Sequence, residues 1–112
     1  MVIIAFSDKT SKVIPRIVCH KFKHCAPIIP TGHDMVMYQF TRPGHVTPIK
    51  INMSGIRRLR QHGWQFIYVP HDTPPNFTTR GAISCVDLSK RALGLRAAWI
   101  WRPDGLYTYL RN

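Results

Sequence analysis

Apolar residues in this chain cluster in short runs that are separated by proline, glycine and polar turn residues. Residues 2–6 form an uninterrupted apolar run, which is typical of a buried strand. Later runs are rich in β-branched and aromatic residues, and they predict further strands over residues 20–30, 35–41, 46–53, 64–69 and 95–101. Short strands with turn residues between them indicate an antiparallel sheet.

The second and third predicted strands are joined by a turn over residues 31–34, which are Thr, Gly, His and Asp. With these four residues as the loop, Pro30 pairs with Met35. In the same register His24 and Gln39 are diagonal neighbours on one face of the sheet. A shift of one residue would move Gln39 to the other face, so the register decides which side chains meet His24.

Four stretches outside these strands have helical patterns, and one of them is the helix that begins at Cys85. Residues 11–18 place apolar side chains on one side and predict a short helix. A basic helix is expected over residues 55–62, with Ser54 as its N-cap and Gly63 ending it. Residues 106–110 predict a closing turn of helix that packs on the sheet.

The helix that begins at Cys85 has the clearest boundaries in the sequence. Ser84 is a good N-cap, because its hydroxyl can accept a hydrogen bond from a backbone N–H of the first turn. Asp87 stands three residues later, as in a capping box, and its charge suits the positive end of the helix dipole. Gly94 favours the left-handed conformation that ends many helices. Together these residues predict a helix over residues 85–93.

The composition supports one folded domain over residues 1–112. Apolar residues make up 45% of the chain, which is enough for a core. With the predicted elements, this indicates an α+β fold in which the cysteine-bearing helix packs on an antiparallel sheet. No apolar run has the length of a membrane span or the form of a signal peptide, and the cysteines are an odd number, so we expect a cytoplasmic protein.

The charge is unusual for so small a protein. The chain has 16 Lys and Arg residues against 5 acidic residues, which gives a formal net charge of +11 at pH 7. Such a field attracts nucleic acid, anionic lipid or an acidic protein. The basic residues are spread along the chain, which is not the pattern of a dedicated DNA-binding groove.

Cys85 is the residue whose predicted position carries the most chemistry. The first turn of a helix has unpaired N–H groups and the positive end of the dipole, and both stabilise a thiolate. The same N–H groups can donate to the oxyanion that forms when a thiolate attacks a carbonyl. A buried cysteine that only fills space is the alternative interpretation of this position.

Two short motifs, and the order in which they occur, resemble a known group of enzymes. The first motif is Lys23-His24-Cys25-Ala26, and the second is Ser84-Cys85-Val86-Asp87, followed later by Leu93-Gly94. The chain resembles the small, circularly permuted papain-like thiol hydrolases, including the permuted cell-wall peptidase-like and lecithin:retinol acyltransferase-like branches. It especially resembles the short versions encoded by bacteriophages. In the permuted branch the histidine strand precedes the cysteine helix, as it does here.

The resemblance implies a cysteine hydrolase with Cys85 as its nucleophile and His24 as its general base. Family members commonly place a third polar residue on the next strand, where this chain offers Gln39 and Thr41, with His33 and Asp34 nearby in the turn. We choose Gln39, whose amide can orient an imidazole. The implied substrates are peptides, other amides or thioesters, and the resemblance implies no cofactor. A phage origin would place the protein in the host cytoplasm. Ser84 stands where the acyltransferase-like branch usually has Asn, which argues against acyltransferase chemistry.

Two binding functions are alternatives to hydrolysis. Arg57, Arg58 and Arg60 of the basic helix can lie along a phosphate backbone, which would make the protein a nucleic-acid-binding module. An inactive papain-like scaffold can instead bind a host protein. Trp99 and Trp101 would then belong to the surface anchor, although we expect at least one of them in the core.

A metal site is not predicted. Cys19, His20, His24 and Cys25 are potential zinc ligands, and they stand close together in the sequence. Neighbouring residues of a strand point to opposite faces, so all four can bind one ion only from a tight loop. The chain also has no Cys-x-x-Cys pair, which most zinc sites of this kind include.

Overall fold

The computed structural model describes residues 1–7 and 24–111, which form an α+β fold. The strands of this described part are β1 Val2–Ser7, β2 His24–Thr31, β3 Asp34–Arg42, β4 His45–Ile51 and β5 Gln65–Val69. Its helices are α1 Met53–Gln61, α2 Cys85–Leu93 and α3 Pro103–Arg111. The strands form one antiparallel sheet in the order β4-β3-β2-β1-β5, so the predicted α+β class with an antiparallel sheet is confirmed. The helix predicted over residues 11–18 lies outside the described residues.

Strand β1 is an inner strand, paired with β2 on one side and with β5 on the other. All of its residues are buried, which explains why its sequence is apolar without alternation. Val2, Ile4 and Phe6 point to one face of the sheet, and Ile3 and Ala5 point to the other. Each of the large side chains contributes about 1.5–3 kcal/mol by its burial, so this strand stabilises both halves of the core.

Helices cover both faces of the sheet. We call one the α2 face, because residues of α2 and α3, among them Val86 and Leu106, pack there against Val2, Ile4 and Phe6. We call the other the α1 face, where Ile56 of α1 packs with Ala26, Ile28 and Met37. The sheet therefore lies between two apolar clusters and is buried along β1 and the first half of β2.

The β2–β3 hairpin has the predicted register. Pro30 pairs with Met35, and the ladder runs on to the pair of Ile28 with Met37. The turn is shorter than predicted, because Thr31 and Asp34 also pair and only two residues remain between them. Pro27 has no N–H to donate, and it lies one residue beyond the last pair with β3. On its other side Pro27 still pairs with Ile4 of β1, so this inner strand accommodates the proline where its ladder with β3 ends.

Helix α1 begins earlier than the sequence predicts. Its N-cap is Asn52, whose Oδ1 accepts a hydrogen bond from the backbone N–H of Gly55 at 2.9 Å. The prediction of Ser54 as the cap is wrong, because Asn and Ser are comparable caps and both stand near the boundary. The helix keeps its predicted basic character and its apolar contact through Ile56.

The strand predicted over residues 95–101 is wrong, because this stretch is irregular. The ammonium group of Lys90 donates to the carbonyls of Ala97 at 2.9 Å and Ile100 at 2.8 Å. Ala97 and Ile100 are buried, whereas Trp99 and Trp101 are 74% and 63% exposed. The expectation that one tryptophan lies in the core is therefore also wrong, since the turn directs the smaller side chains inward.

Helix α2 has the predicted boundaries. The Ser84 hydroxyl accepts from the backbone N–H of Asp87 at 2.9 Å, and Gly94 ends the helix with φ 68°. The Asp87 carboxylate accepts from the backbone N–H of Ile83 at 3.1 Å, one residue earlier than in a standard capping box. The caps fix where α2 starts, and so they fix the position of Cys85. Within the described ranges, α2 and the other helices are too short and too polar to cross a membrane.

Candidate functional site

Helix α2 packs across β2, and this packing brings two cysteines together. Cys85 is the first residue of α2 and is partly exposed, whereas Cys25 of β2 is only 1% exposed. Ser89 lies one turn after Cys85, and its hydroxyl donates to Cys25 Sγ at 3.5 Å. Residues four apart share one side of a helix. The side of α2 that carries Cys85 and Ser89 therefore lies over Cys25.

His24, at the start of β2, is held in place by Gln39 and Trp64. Its Nε2 lies 2.8 Å from Gln39 Oε1, and the Gln39 amide nitrogen donates to Met37 Sδ at 3.5 Å. The ring also packs edge-to-face on Trp64, with centroids 5.9 Å apart. An amide oxygen can only accept, so Nε2 carries a hydrogen in this arrangement. Nδ1 is then the ring nitrogen that can act as a base.

The thiol of Cys85 is acidic in this environment. A hydrogen bond with the Cys25 side chain has the largest effect and lowers the pKa of Cys85 well below its usual range. A hydrogen bond and a charge interaction with His24 lower it further, whereas burial raises it. The effects that lower the pKa prevail over the effect of burial. The position of Cys85 in the first turn of α2 also stabilises the thiolate and so lowers the pKa further.

Cys85 contacts residues from both sides of β2. Cys25 belongs to the cluster on the α2 face, whereas His24 alternates with Ala26 and Ile28, which lie on the α1 face. A group that hydrogen-bonds both His24 and Cys25 must lie at the end of the strand and not over the middle of one face. The start of α2 is therefore placed at the end of the sheet.

The sequence-predicted residues of this site are brought together in the structure. Cys85 interacts with His24, and His24 interacts with Gln39, as the hairpin register predicted. Sequence reasoning named Cys25 in the histidine motif and as a potential zinc ligand, but it did not place Cys25 beside Cys85. The missed signal is strand alternation. Because successive residues of a strand point to opposite faces, Cys25 lies on the α2 face when His24 lies on the α1 face.

The arginines proposed for nucleic-acid binding lie elsewhere. Arg57, Arg58 and Arg60 are exposed on α1, away from the cluster that contains Cys25. Arg60 donates to the Tyr68 hydroxyl at 3.4 Å and lies over the Phe66 ring, with its guanidinium carbon 5.3 Å from the centroid. In the part of the chain that the structure describes, no carboxylate pairs with these arginines.

A cavity of about 430 Å³ lies at the opposite end of α2 from Cys85. It is lined by Lys90, Arg91, Gly94 and residues of the flanking loops. Lys90 donates to two backbone carbonyls, and Arg91 donates to the carbonyl of Arg80 at 2.6 Å. Both cations thus tie loops to the helix, so we assign this cavity a structural role and place the reactive site at Cys85.

Metal ligands are not assembled within residues 1–7 and 24–111. No group of three or more His, Cys, Asp or Glu side chains there could hold a metal ion. Cys19 and His20, which complete the potential zinc set in the sequence, lie outside the described residues. His24 and Cys25, the other two members, interact with Cys85.

Comparisons with known proteins did not identify a relative of this chain. A scan against protein-family models, a search of curated proteins and a search of solved structures each found no match. The function must therefore be inferred from the geometry and electrostatics around Cys85.

Proposed function

We propose that the protein is a cysteine hydrolase of the permuted papain-like type, with Cys85 as nucleophile, His24 as base and Gln39 as the residue that positions His24. The observation that carries the proposal is the acidic Cys85 thiol at a helix N-terminus beside an imidazole held by Gln39. The chain order, with the histidine strand before the cysteine helix, agrees with the permuted arrangement.

The first half of the reaction uses the thiolate and the helix N-terminus. Cys85 Sγ attacks the carbonyl carbon of the substrate, and the C–S bond forms as the carbonyl electrons move to oxygen. The oxyanion accepts hydrogen bonds from backbone N–H groups at the start of α2, including that of Cys85. His24, protonated after taking the thiol hydrogen, gives its proton to the leaving amine, alcohol or thiol as the tetrahedral intermediate collapses.

The second half of the reaction releases the acyl group. His24, again neutral, takes a proton from water as the water attacks the thioester carbonyl. The C–S bond breaks and the carboxylic acid leaves, which restores the Cys85 and His24 pair. Gln39 keeps Nε2 of the ring occupied through both halves, so Nδ1 is the atom that exchanges protons. Amides, esters and thioesters are all compatible with these steps.

Selective alkylation of Cys85 is expected at mildly acidic pH. A free thiol is less than about 1% ionised at pH 6. The pKa of Cys85 is lowered, so its thiolate fraction at pH 6 exceeds that of a free thiol, and iodoacetamide should label it faster than the buried Cys25. As pH rises through the folded-state pKa, the Cys85 rate should reach its plateau well before that of an ordinary thiol. Mass spectrometry of labelled peptides measures both rates.

Two variants separate the causes of this reactivity. His24→Ala and Cys25→Ala each remove a group that lowers the pKa of Cys85, so in both the rate profile should move to higher pH. Equal and slow labelling of Cys85 and Cys25 at pH 6 would make Cys85 a packing residue and would contradict the proposal.

Nucleic-acid binding is the second candidate function. The favourable observation is that Arg57, Arg58 and Arg60 are exposed on one short helix without a carboxylate partner among the described residues. Trp99 and Trp101 are also exposed, and aromatic side chains can stack on unpaired bases. The charge of +11 would then supply the attraction to phosphate.

The triple substitution of Arg57, Arg58 and Arg60 by Ala should weaken binding to a single-stranded oligonucleotide. We expect the slope of log affinity against log salt to fall by about 0.7 for each arginine that contacts a phosphate. Fluorescence polarisation over a salt series measures it. The matched control replaces the exposed Arg42, Arg80 and Arg96, which removes the same charge elsewhere. Equal losses in both triple variants, or no binding of the wild type at low salt, would rule out a site on α1.

A further inference from the structure

Cys25 and Cys85 form a pair of unlike thiols. Both side chains are thiols and not halves of a disulfide, and Cys85 packs against the buried cluster that contains Cys25. The two side chains are hydrogen-bonded to each other across the α2–β2 contact. Cys85 is partly exposed, whereas Cys25 is 1% exposed beneath it. A small oxidant from solvent therefore reaches Cys85 and not Cys25. This difference in access is the arrangement of an attacking thiol and a resolving thiol.

We infer that Cys25 and Cys85 are a reversible dithiol–disulfide pair, with a hydroperoxide such as hydrogen peroxide as the oxidant. The pairing depends on the placement of the two sulfurs and does not require that Cys85 hydrolyse a substrate. Its reductant is a thiol or dithiol of low molecular mass, which restores the pair by exchange.

The oxidation has two balanced steps. In the first, Cys85 thiolate attacks one oxygen of hydrogen peroxide, the O–O bond breaks, and Cys85 sulfenic acid and hydroxide form. In the second, Cys25 sulfur attacks the Cys85 sulfur, the S–O bond breaks, and the hydroxide that leaves takes the Cys25 proton to become water. The two sulfurs lose two electrons in total, and the peroxide accepts them and becomes water.

The surroundings of Cys25 suit the second step. Ser89 donates a hydrogen bond to Cys25 Sγ at 3.5 Å, and this bond stabilises negative charge on the sulfur as its proton leaves. Ser89 is itself fully buried, so water does not compete for its hydroxyl. Sulfurs in hydrogen-bond contact need only a short approach to reach the S–S bond length of about 2.05 Å.

The disulfide has a consequence for the proposed hydrolysis. Cys85 has no free thiol while it is bonded to Cys25, so hydrolysis should stop until a reductant restores the thiol. This consequence rests on the proposed function, whereas the pairing does not. Peptide mapping tests the pairing, and an activity assay tests the consequence, so failure of one is distinguishable from failure of the other.

The experiment treats the full chain with a small excess of hydrogen peroxide, blocks free thiols with N-ethylmaleimide and digests it without reductant. We expect one linked peptide that joins Cys25 to Cys85, lighter than the two free peptides by two hydrogen atoms. Dithiothreitol should return both thiols to full labelling. The variant Cys19→Ser should give the same linked peptide, because Cys19 is not part of the pair.

A second variant shows what Cys25 contributes. In Cys25→Ala, checked for folding by circular dichroism, Cys85 should proceed to sulfinic and sulfonic acid under the same treatment. Wild-type protein that accumulates these acids at Cys85 as fast as Cys25→Ala would overturn the inference. A disulfide between Cys85 and Cys19 in the wild type would overturn it as well.

Discussion

Replacement of Cys85 by serine should reduce hydrolysis to the uncatalysed rate, while the protein keeps its fold. A serine hydroxyl is hardly ionised near neutral pH, and His24 is positioned for a thiol that is already acidic. The measurement is the release of p-nitrophenolate from p-nitrophenyl acetate, followed by the same assay with an acyl p-nitroanilide. Circular dichroism should show the helix content of the wild type. Unchanged hydrolysis in Cys85→Ser would remove Cys85 as the nucleophile.

His24→Ala separates proton transfer from attack by the thiolate. General acid–base catalysis contributes about 10²–10⁴-fold, and we expect a loss of that order with the anilide, whose leaving amine needs a proton. The loss should be smaller with the ester, because p-nitrophenolate leaves without a proton. Gln39→Ala should lower the rate less than His24→Ala, and Gln39→Glu should restore activity, because its carboxylate can still accept from Nε2. An equal loss with both substrates in His24→Ala would contradict the role of His24 as an acid.

Phe6→Ala should lower the free energy of unfolding by about 3–5 kcal/mol, as do other truncations of buried aromatic residues. Phe6 is fully buried on the α2 face, and its ring packs edge-to-face on Tyr107 with centroids 5.1 Å apart. Urea denaturation followed by circular dichroism measures the change. Loss of this magnitude approaches the whole stability of many small domains, so the variant should be largely unfolded in moderate denaturant.

The matched control for Phe6→Ala is Trp99→Ala. Trp99 is also aromatic, but it is 74% exposed, so its truncation should change the free energy of unfolding by no more than about 0.5 kcal/mol. A destabilisation of Trp99→Ala comparable to that of Phe6→Ala would show that the segment between α2 and α3 packs more tightly than its exposure indicates.

Local signals in the sequence were sufficient for much of the fold. The apolar run of β1, the caps of α2 at Ser84 and Gly94, and the hairpin register of Pro30 with Met35 are all present in the structure. Each depends on residues close together in the chain, where turn geometry and capping act directly. The same register placed Gln39 beside His24, so part of the site could be predicted too.

The features that the sequence did not disclose depend on tertiary contacts. Residues 95–101 have the composition of a strand, but Lys90 from α2 occupies carbonyls that a strand would offer to a neighbour. Strand alternation indicates the face of the sheet on which Cys25 lies, but only the packing of α2 on β2 brings Cys25 to Cys85. The papain-like interpretation, both of the fold and of the function, stays a proposal, since the order of elements alone does not fix the chemistry.

The position of β1 in the sheet affects how the protein is made. This strand is synthesised before its partner across the Val2–Val69 pair, which belongs to β5, far along the chain. Pairing between distant segments carries a loop-closure cost and slows folding. Until β5 has emerged from the ribosome, an uncharged, β-branched segment lacks one of its neighbours, and such segments associate with one another when exposed. Production at low temperature, where synthesis is slower and less nascent chain is present at once, should therefore favour the folded protein over aggregates.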